Sequence, residues 1–152
     1  MGEKKVRGRK RHLLVDTEGH LLGVLVEPAD IADRDAAPWL VQAIARRWPD
    51  LQLVWADQAY TGDLADWLED TYGWELVVVR RPPGTHGFTL LPRRWVVERT
   101  IAWLNRNRRL SKDYERTEAA MESWCYLASI ALLLRRLRPS SRWEVRYARK
   151  SA

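Results

Sequence analysis

The chain has 152 residues and a mass of 17.8 kDa, the size of one domain. Hydrophobic residues make up 46% and charged residues 30%, which argues against a disordered chain, and the single cysteine, Cys125, excludes a disulfide framework and a cysteine-based zinc site. The net charge of +6 is uneven: +5 over residues 1–12, −8 over 13–92, +5 over 93–116, −2 over 117–134 and +6 over 135–152.

In chain order, residues 1–10 read as a basic arm or strand lead-in. The run 11–16 predicts a short strand, Thr17-Glu18-Gly19 a turn, and HLLGVLVE (20–27) the returning strand of a β-hairpin. An acidic loop follows, in which Asp30, Asp33 and Asp35 read as capping and solvated residues. Asp35 is placed to cap a helix over 36–48 with Trp39, Leu40, Ile44 and Ala45 on its inner face. LQLVWA (51–56) is an apolar strand after a helix, which suggests a buried parallel strand, and Asp57 ends it. Residues 64–72 predict a helix with Leu64, Trp67 and Leu68 inward and Gly73 as its stop. ELVVV (75–79) is a second buried strand, and 82–92, with its glycines and prolines, is a loop. A helix is expected from about Arg93 to Arg108. The last, from the N-cap Thr117 to before Pro139, should pack Trp124, Leu127, Ile130, Ala131 and Leu134 into the core. The order β-β-α-β-α-β-α-α gives an α/β fold with a mixed sheet and C-terminal helices. The longest apolar run, Tyr126–Leu134, is too short to span a bilayer, and the basic start runs into acidic residues unlike a secretory signal. A cytoplasmic protein without a membrane partner is expected.

An acidic middle between basic arms suits a protein that handles a polyanion: lysines and arginines neutralise phosphates while the acids hold cations. Asp57 ends a buried strand, where α/β sheets gather their chemistry, but an Asp there also caps turns. Glu98 stands among Trp95, Val96, Val97, Ile101 and Ala102 and could pair with Arg94 one turn earlier. Together, a strand-end carboxylate and a helix carboxylate can converge on Mg²⁺, and two such ions roughly 4 Å apart can clamp both reacting oxygens of a phosphodiester. Asp16 reads as a hairpin-turn residue. Trp95 and Trp103 read as core, with a stacking wedge beside nucleic acid as the other use.

Four segments, KKVRGRKRHLLVDTEG (4–19), EPADIADRDAA (27–37), WADQAYTG (55–62) and LPRRWVVERTIAWLNRNRRLSKDYE (91–115), occur in an order and spacing that resembles the DDE transposases of insertion sequences, in the branch called insertion-sequence family 5. The resemblance covers about residues 4–138. It implies a partial ribonuclease H-like catalytic domain over 1–138, with 139–152 as a basic C-terminal tail. It also implies Mg²⁺ (or Mn²⁺) as cofactor, and strand cleavage and strand transfer as the reaction. The family's second Asp falls on Asp57, in its D-x-x-Y setting with Tyr60. Its Glu falls on Glu98, one turn after Arg94, as in the signature Tyr-x2-Arg-x3-Glu-x6-Lys. The signature Tyr position is Leu91 here, and the Lys position is Asn105 with Arg106 adjacent. The family's first Asp lies upstream of KKVRGRKRH, on the strand central to the sheet, so an unfilled slot is expected between the hairpin and the parallel pair.

The resemblance implies DNA, as transposon ends and target, for the basic residues: Lys4, Lys5, Arg7, Arg9, Lys10 and Arg11 on the arm, and Arg94, Arg99, Arg106, Arg108, Arg109 and Lys112 on and after the Glu98 helix. The chain is expected to act as a homo-oligomer or with the product of an upstream reading frame, near the nucleoid when bound, and to be inactive alone. Three readings stay open: the later portion of a metal-dependent transposase, a catalytically inactive DNA-binding remnant or inhibitor, and a basic RNA-binding protein.

Overall fold

A computed structural model describes residues 8–80 and 93–137, apart from the side chain of Arg94. Four strands and four helices follow in the order β1 (Arg9–Val15), β2 (Leu21–Pro28), α1 (Asp33–Ala45), β3 (Leu53–Ala56), α2 (Leu64–Tyr72), β4 (Glu75–Val78), α3 (Arg94–Leu104) and α4 (Glu118–Leu137). Short 3-10 turns lie at Gln58–Tyr60 and Arg108–Leu110. The expected loop 82–92 and tail 139–152 lie outside the described residues.

β1 and β2 form the expected hairpin, antiparallel, with His12 opposite Leu25 and a register irregularity between Leu14 and Val15. The period-2 alternation sets its two faces. Leu14 and Leu25 pack on α1 and α2, in a cluster built on Leu40, Val41, Ile44, Leu68 and Trp74. Leu13, Val24 and Val26 pack on the opposite side, with Leu104, Leu110, Met121 and Cys125. The hairpin is therefore the shared layer between α1 on one face and α4 on the other. The outer edge of β2 is covered in part by Glu122 of α4, whose carboxylate accepts from the Val26 N–H at 2.8 Å.

β3 and β4 pair in parallel, Leu53 with Glu75 through Ala56 with Val78. The strands do not join into the single mixed sheet expected from their order. They form two separate two-stranded sheets, and among the described residues neither β1 nor β3 has a strand on its second edge.

Helix limits follow local chemistry. α2 stops at Gly73, whose φ of 68° is the left-handed conformation that glycine adopts cheaply, and the Gly73 N–H donates to Glu69 O at 2.9 Å. Thr117 caps α4 as expected, its hydroxyl accepting from the Ala120 N–H at 3.2 Å. α1 differs from expectation: it starts at Asp33 with Ala32 as N-cap, and Asp33 and Asp35 lie inside its first turn, where carboxylates favour the helix dipole. Trp39 points outward. α3 ends at Leu104, before the expected Arg108, because Asn107 starts a new turn by accepting from the Arg109 N–H.

The inner face of α4 was misplaced by its sequence. Met121, Cys125 and Ser129 are buried, whereas Leu127, Ile130 and Leu134 are 53%, 51% and 59% exposed. Among the described residues no helix is long and apolar enough to cross a membrane.

Candidate active site

Asp57 leaves β3 in an extended conformation and heads the 3-10 turn. Its Oδ1 accepts from the Ala59 N–H at 2.9 Å, and its carbonyl accepts from the Tyr60 N–H at 3.2 Å. The capping role considered from sequence is therefore present, and it uses one carboxylate oxygen. Glu98 lies in the second turn of α3. Both acids line one cavity of about 230 Å³, walled also by Trp55, Arg93, Val97 and Ile101. Oxygen donors of this kind suit a hard divalent cation. Among the described residues no group of three or more His, Cys, Asp or Glu could hold a metal ion.

The rotation of α3, and with it the direction of Glu98, is fixed by the hairpin turn. The buried Thr100 hydroxyl lies 2.9 Å from Gly19 O and 3.0 Å from Val96 O and donates to these carbonyls. Arg99 donates to Glu18 O at 2.7 Å, and its guanidinium is stacked between Trp95 (4.4 Å) and Trp103 (4.5 Å). Arg136 of α4 covers Trp103 at 4.8 Å and contacts His20. Asp16 ties the turn itself, accepting from the Glu18 and His20 N–H groups and lying 2.7 Å from the His20 ring. Burial pushes the Asp16 carboxyl up, but the His20 and Glu18 hydrogen bonds outweigh it and hold its pKa below the usual range. The two indoles read as core are therefore parts of an arginine–tryptophan stack, with Trp95 39% exposed.

Behind Asp57, the Tyr60 hydroxyl lies 2.9 Å from His12 Nδ1, joining the 3-10 turn to β1. His12 and Glu27 are both 4% exposed, with Nε2 and Oε2 3.9 Å apart. Neither Nε2 nor either Glu27 oxygen has a hydrogen-bond partner among the described residues. Burial raises the pKa of the Tyr60 phenol, helped by Asp33, Asp57 and Glu27 nearby, so the hydroxyl keeps its proton. Burial lowers the His12 pKa and raises that of Glu27, which Lys10 opposes.

Residues of β1 and β3 border a second cavity, of about 540 Å³, whose walls include Leu13, Leu14, Val54, Trp55, Trp95 and Val96.

The basic residues divide. Lys4, Lys5 and Arg7 lie outside the described residues, as does the Arg94 side chain. Arg9 donates to both oxygens of Asp113, at 2.9 and 2.5 Å, and contacts Glu115 O. Lys10 donates to Ile31 O at 2.8 Å and Asp33 at 3.0 Å. Arg11 reaches Leu110 O and the Asn105 side chain. With Arg99, these groups have partners inside the chain and serve its packing. Arg109 pairs with Glu115 at 3.3 Å and lies over Trp124. Arg106, Arg108 and Lys112 are exposed.

Sequence reasoning missed Arg93, His12 and Glu27. His12 and Glu27 could have been found as polar residues on the inner register of two apolar strands. Arg93 carries no such signal, since its place depends on a backbone turn.

The family model for the transposase DDE domain matches residues 2–134. A protein from Burkholderia cepacia, described as a transposase for insertion sequence element IS402, is 34% identical over 116 residues, covering 72% of this chain and 54% of the relative. The chain thus spans about half the length of that curated relative. No solved structure matches it significantly.

Proposed function

The chain belongs to the DDE transposases of insertion sequences, and from that premise we propose that it is the later portion of a catalytic domain that cuts and joins DNA strands once an upstream segment completes it. The observation that carries the reading is that Asp57 and Glu98, brought from a strand end and from a distant helix, line the same cavity. These two residues would hold Mg²⁺ (or Mn²⁺), with the remaining ligand coming from the upstream segment. The bound ions would supply a deprotonated oxygen nucleophile and stabilise charge on the leaving oxygen of a phosphodiester.

The chain's own residues perform the positioning. Ala59 N–H fixes one Asp57 oxygen and leaves the other for a cation. The His12–Tyr60 contact holds the turn that carries Asp57, and the Gly19–Thr100 contact sets the facing of Glu98. Among the described residues the second edges of β1 and β3 carry no strand, which supports completion by an extended segment. Edge strands offer unpaired N–H and C=O groups, and buried ones need partners. We assign residues 1–138 to a partial ribonuclease H-like domain and 139–152 to a basic tail. DNA would meet Lys4, Lys5, Arg7, Arg94, Arg106, Arg108 and Lys112, and the working form would be an oligomer or a complex with the upstream product, in the cytoplasm.

The test is cleavage of labelled insertion-sequence ends by the completed protein with Mg²⁺. Asp57→Asn and Glu98→Gln should each abolish cleavage and leave DNA affinity within about twofold. Equal loss of cutting and binding would refute a metal-holding role. A second reading, a DNA-binding protein that does not cut and that competes with intact transposase, is favoured by the open cleft, which leaves the chain able to bind before it is completed. Cleavage by the 152-residue chain alone would rule it out.

A further inference from the structure

We propose that Arg93 is a phosphate-contacting residue of the carboxylate cavity, its guanidinium held over the ring of Trp55. The inference rests on the reading that DNA enters this cavity.

The first observation is conformational. Arg93 has φ 69° and ψ −32°, and among the described residues it is the one non-glycine residue with positive φ. Such backbone costs on the order of 1–3 kcal/mol and persists where the surroundings enforce it, often at functional sites. Here it sits immediately before α3.

The second observation is where the side chain goes. The guanidinium carbon lies 4.3 Å from the centroid of the Trp55 ring. Cation–π attraction holds the group over the ring without using any of its N–H donors. Arg93 lines the cavity that contains Asp57 and Glu98, and it also lines the cleft between β1 and β3.

The third observation is charge. A cavity with two carboxylates repels a phosphodiester. An arginine on the same wall offsets that repulsion and can give two parallel N–H bonds to the non-bridging oxygens, a geometry that lysine cannot match. Arg99, one turn and a half further along α3, shows the contrast: it lies over two indoles and donates to Glu18 O, so it is held within the fold by the hairpin turn.

The test uses the full chain and a fluorescently labelled DNA duplex, with affinity measured across a salt series. Arg93→Gln should lower the slope of log affinity against log salt by about 1, the signature of one lost phosphate contact, and Arg93→Lys should restore most of the slope. Arg93→Gly relieves the backbone strain. It should unfold no earlier than wild type and still show the reduced slope, which separates a phosphate role from a packing role. A wild-type slope for Arg93→Gln or Arg93→Gly, with wild-type affinity, overturns the proposal and leaves the proposed function standing. Absence of salt-dependent DNA binding by the wild-type chain overturns the Arg93 proposal, while the proposed function is decided separately by cleavage with the completed protein.

Discussion

Gly19 is the point where the hairpin turn meets α3, and Gly19→Ala tests whether that contact is as close as it looks. Gly19 has φ 85°, which an alanine adopts at a cost of about 1 kcal/mol or more. An added Cβ would stand 2.7 Å from the Thr100 hydroxyl oxygen, 3.2 Å from Trp103 and 3.3 Å from the Arg99 guanidinium. The first distance is too short, so the turn or α3 must move, at an overpacking cost of about 1–3 kcal/mol. Movement also weakens the 2.9 Å Thr100–Gly19 hydrogen bond, worth about 1 kcal/mol. Together these predict a loss of about 3 kcal/mol. In urea the midpoint should fall with little change in slope, and the thermal midpoint should drop by about 6–12 °C. Gly73→Ala is the control: its φ is 68°, but nothing lies within 4 Å of the added Cβ, so it should cost only the strain, about 1 kcal/mol. A double-mutant cycle sharpens the test. In a Thr100→Ala background the nearest atom is gone, and Gly19→Ala should cost about 1 kcal/mol less. If Gly19→Ala is no worse than Gly73→Ala, the turn does not clamp α3, and the argument for how Glu98 is aimed fails.

Two further outcomes follow from burial. Glu27→Gln removes a buried carboxyl whose folded-state pKa is raised, so wild type loses stability relative to the variant as pH climbs above about 4.5, at no more than about 1.4 kcal/mol per pH unit. Chemical denaturation at a series of pH values reads this directly, and a parallel pair of profiles would show that Glu27 is not desolvated. His12, whose pKa is lowered by burial, should cost both proteins stability as pH falls below about 6.5. Leu134→Ser on the exposed stripe of α4 should change stability by at most about 0.5 kcal/mol, whereas Ile44→Ala, at a residue only 2% exposed, should cost about 2–5 kcal/mol. Equal losses at the two positions would mean that the α4 stripe is covered in solution.

How much of this was legible in the residues depends on how local the signal was. α2 was read to its end because Gly73 is a local stop, and Thr117 announced the start of α4. The hairpin followed from its alternation and from the Asp16 turn. The site was half legible: Asp57 and Glu98 could be chosen by chemistry and motif, but their meeting in one cavity is a tertiary fact. α4 misled because it is apolar on most sides. Leu127, Ile130 and Leu134 fit one stripe and Met121 and Cys125 another, and nothing in the periodicity says which stripe meets β2. Arg9, Lys10 and Arg11 read as an arm for DNA because they fall in a run of positive charge and in a segment that resembles the family. Their partners, Asp113, Asp33 and Asn105, are distant in sequence and so invisible to it.

The hairpin between α1 and α4 has a consequence for how the polypeptide matures. Translation delivers β1 and β2 well before α4, so the side of β2 bearing Val24 and Val26 finds its cover only when Met121 and Cys125 arrive, and Arg9 waits for Asp113. During that interval on the ribosome an oily ribbon stands half clad. Premature release of the nascent chain, or a stop codon ahead of α4, would strand it in that state, where aggregation competes with completion.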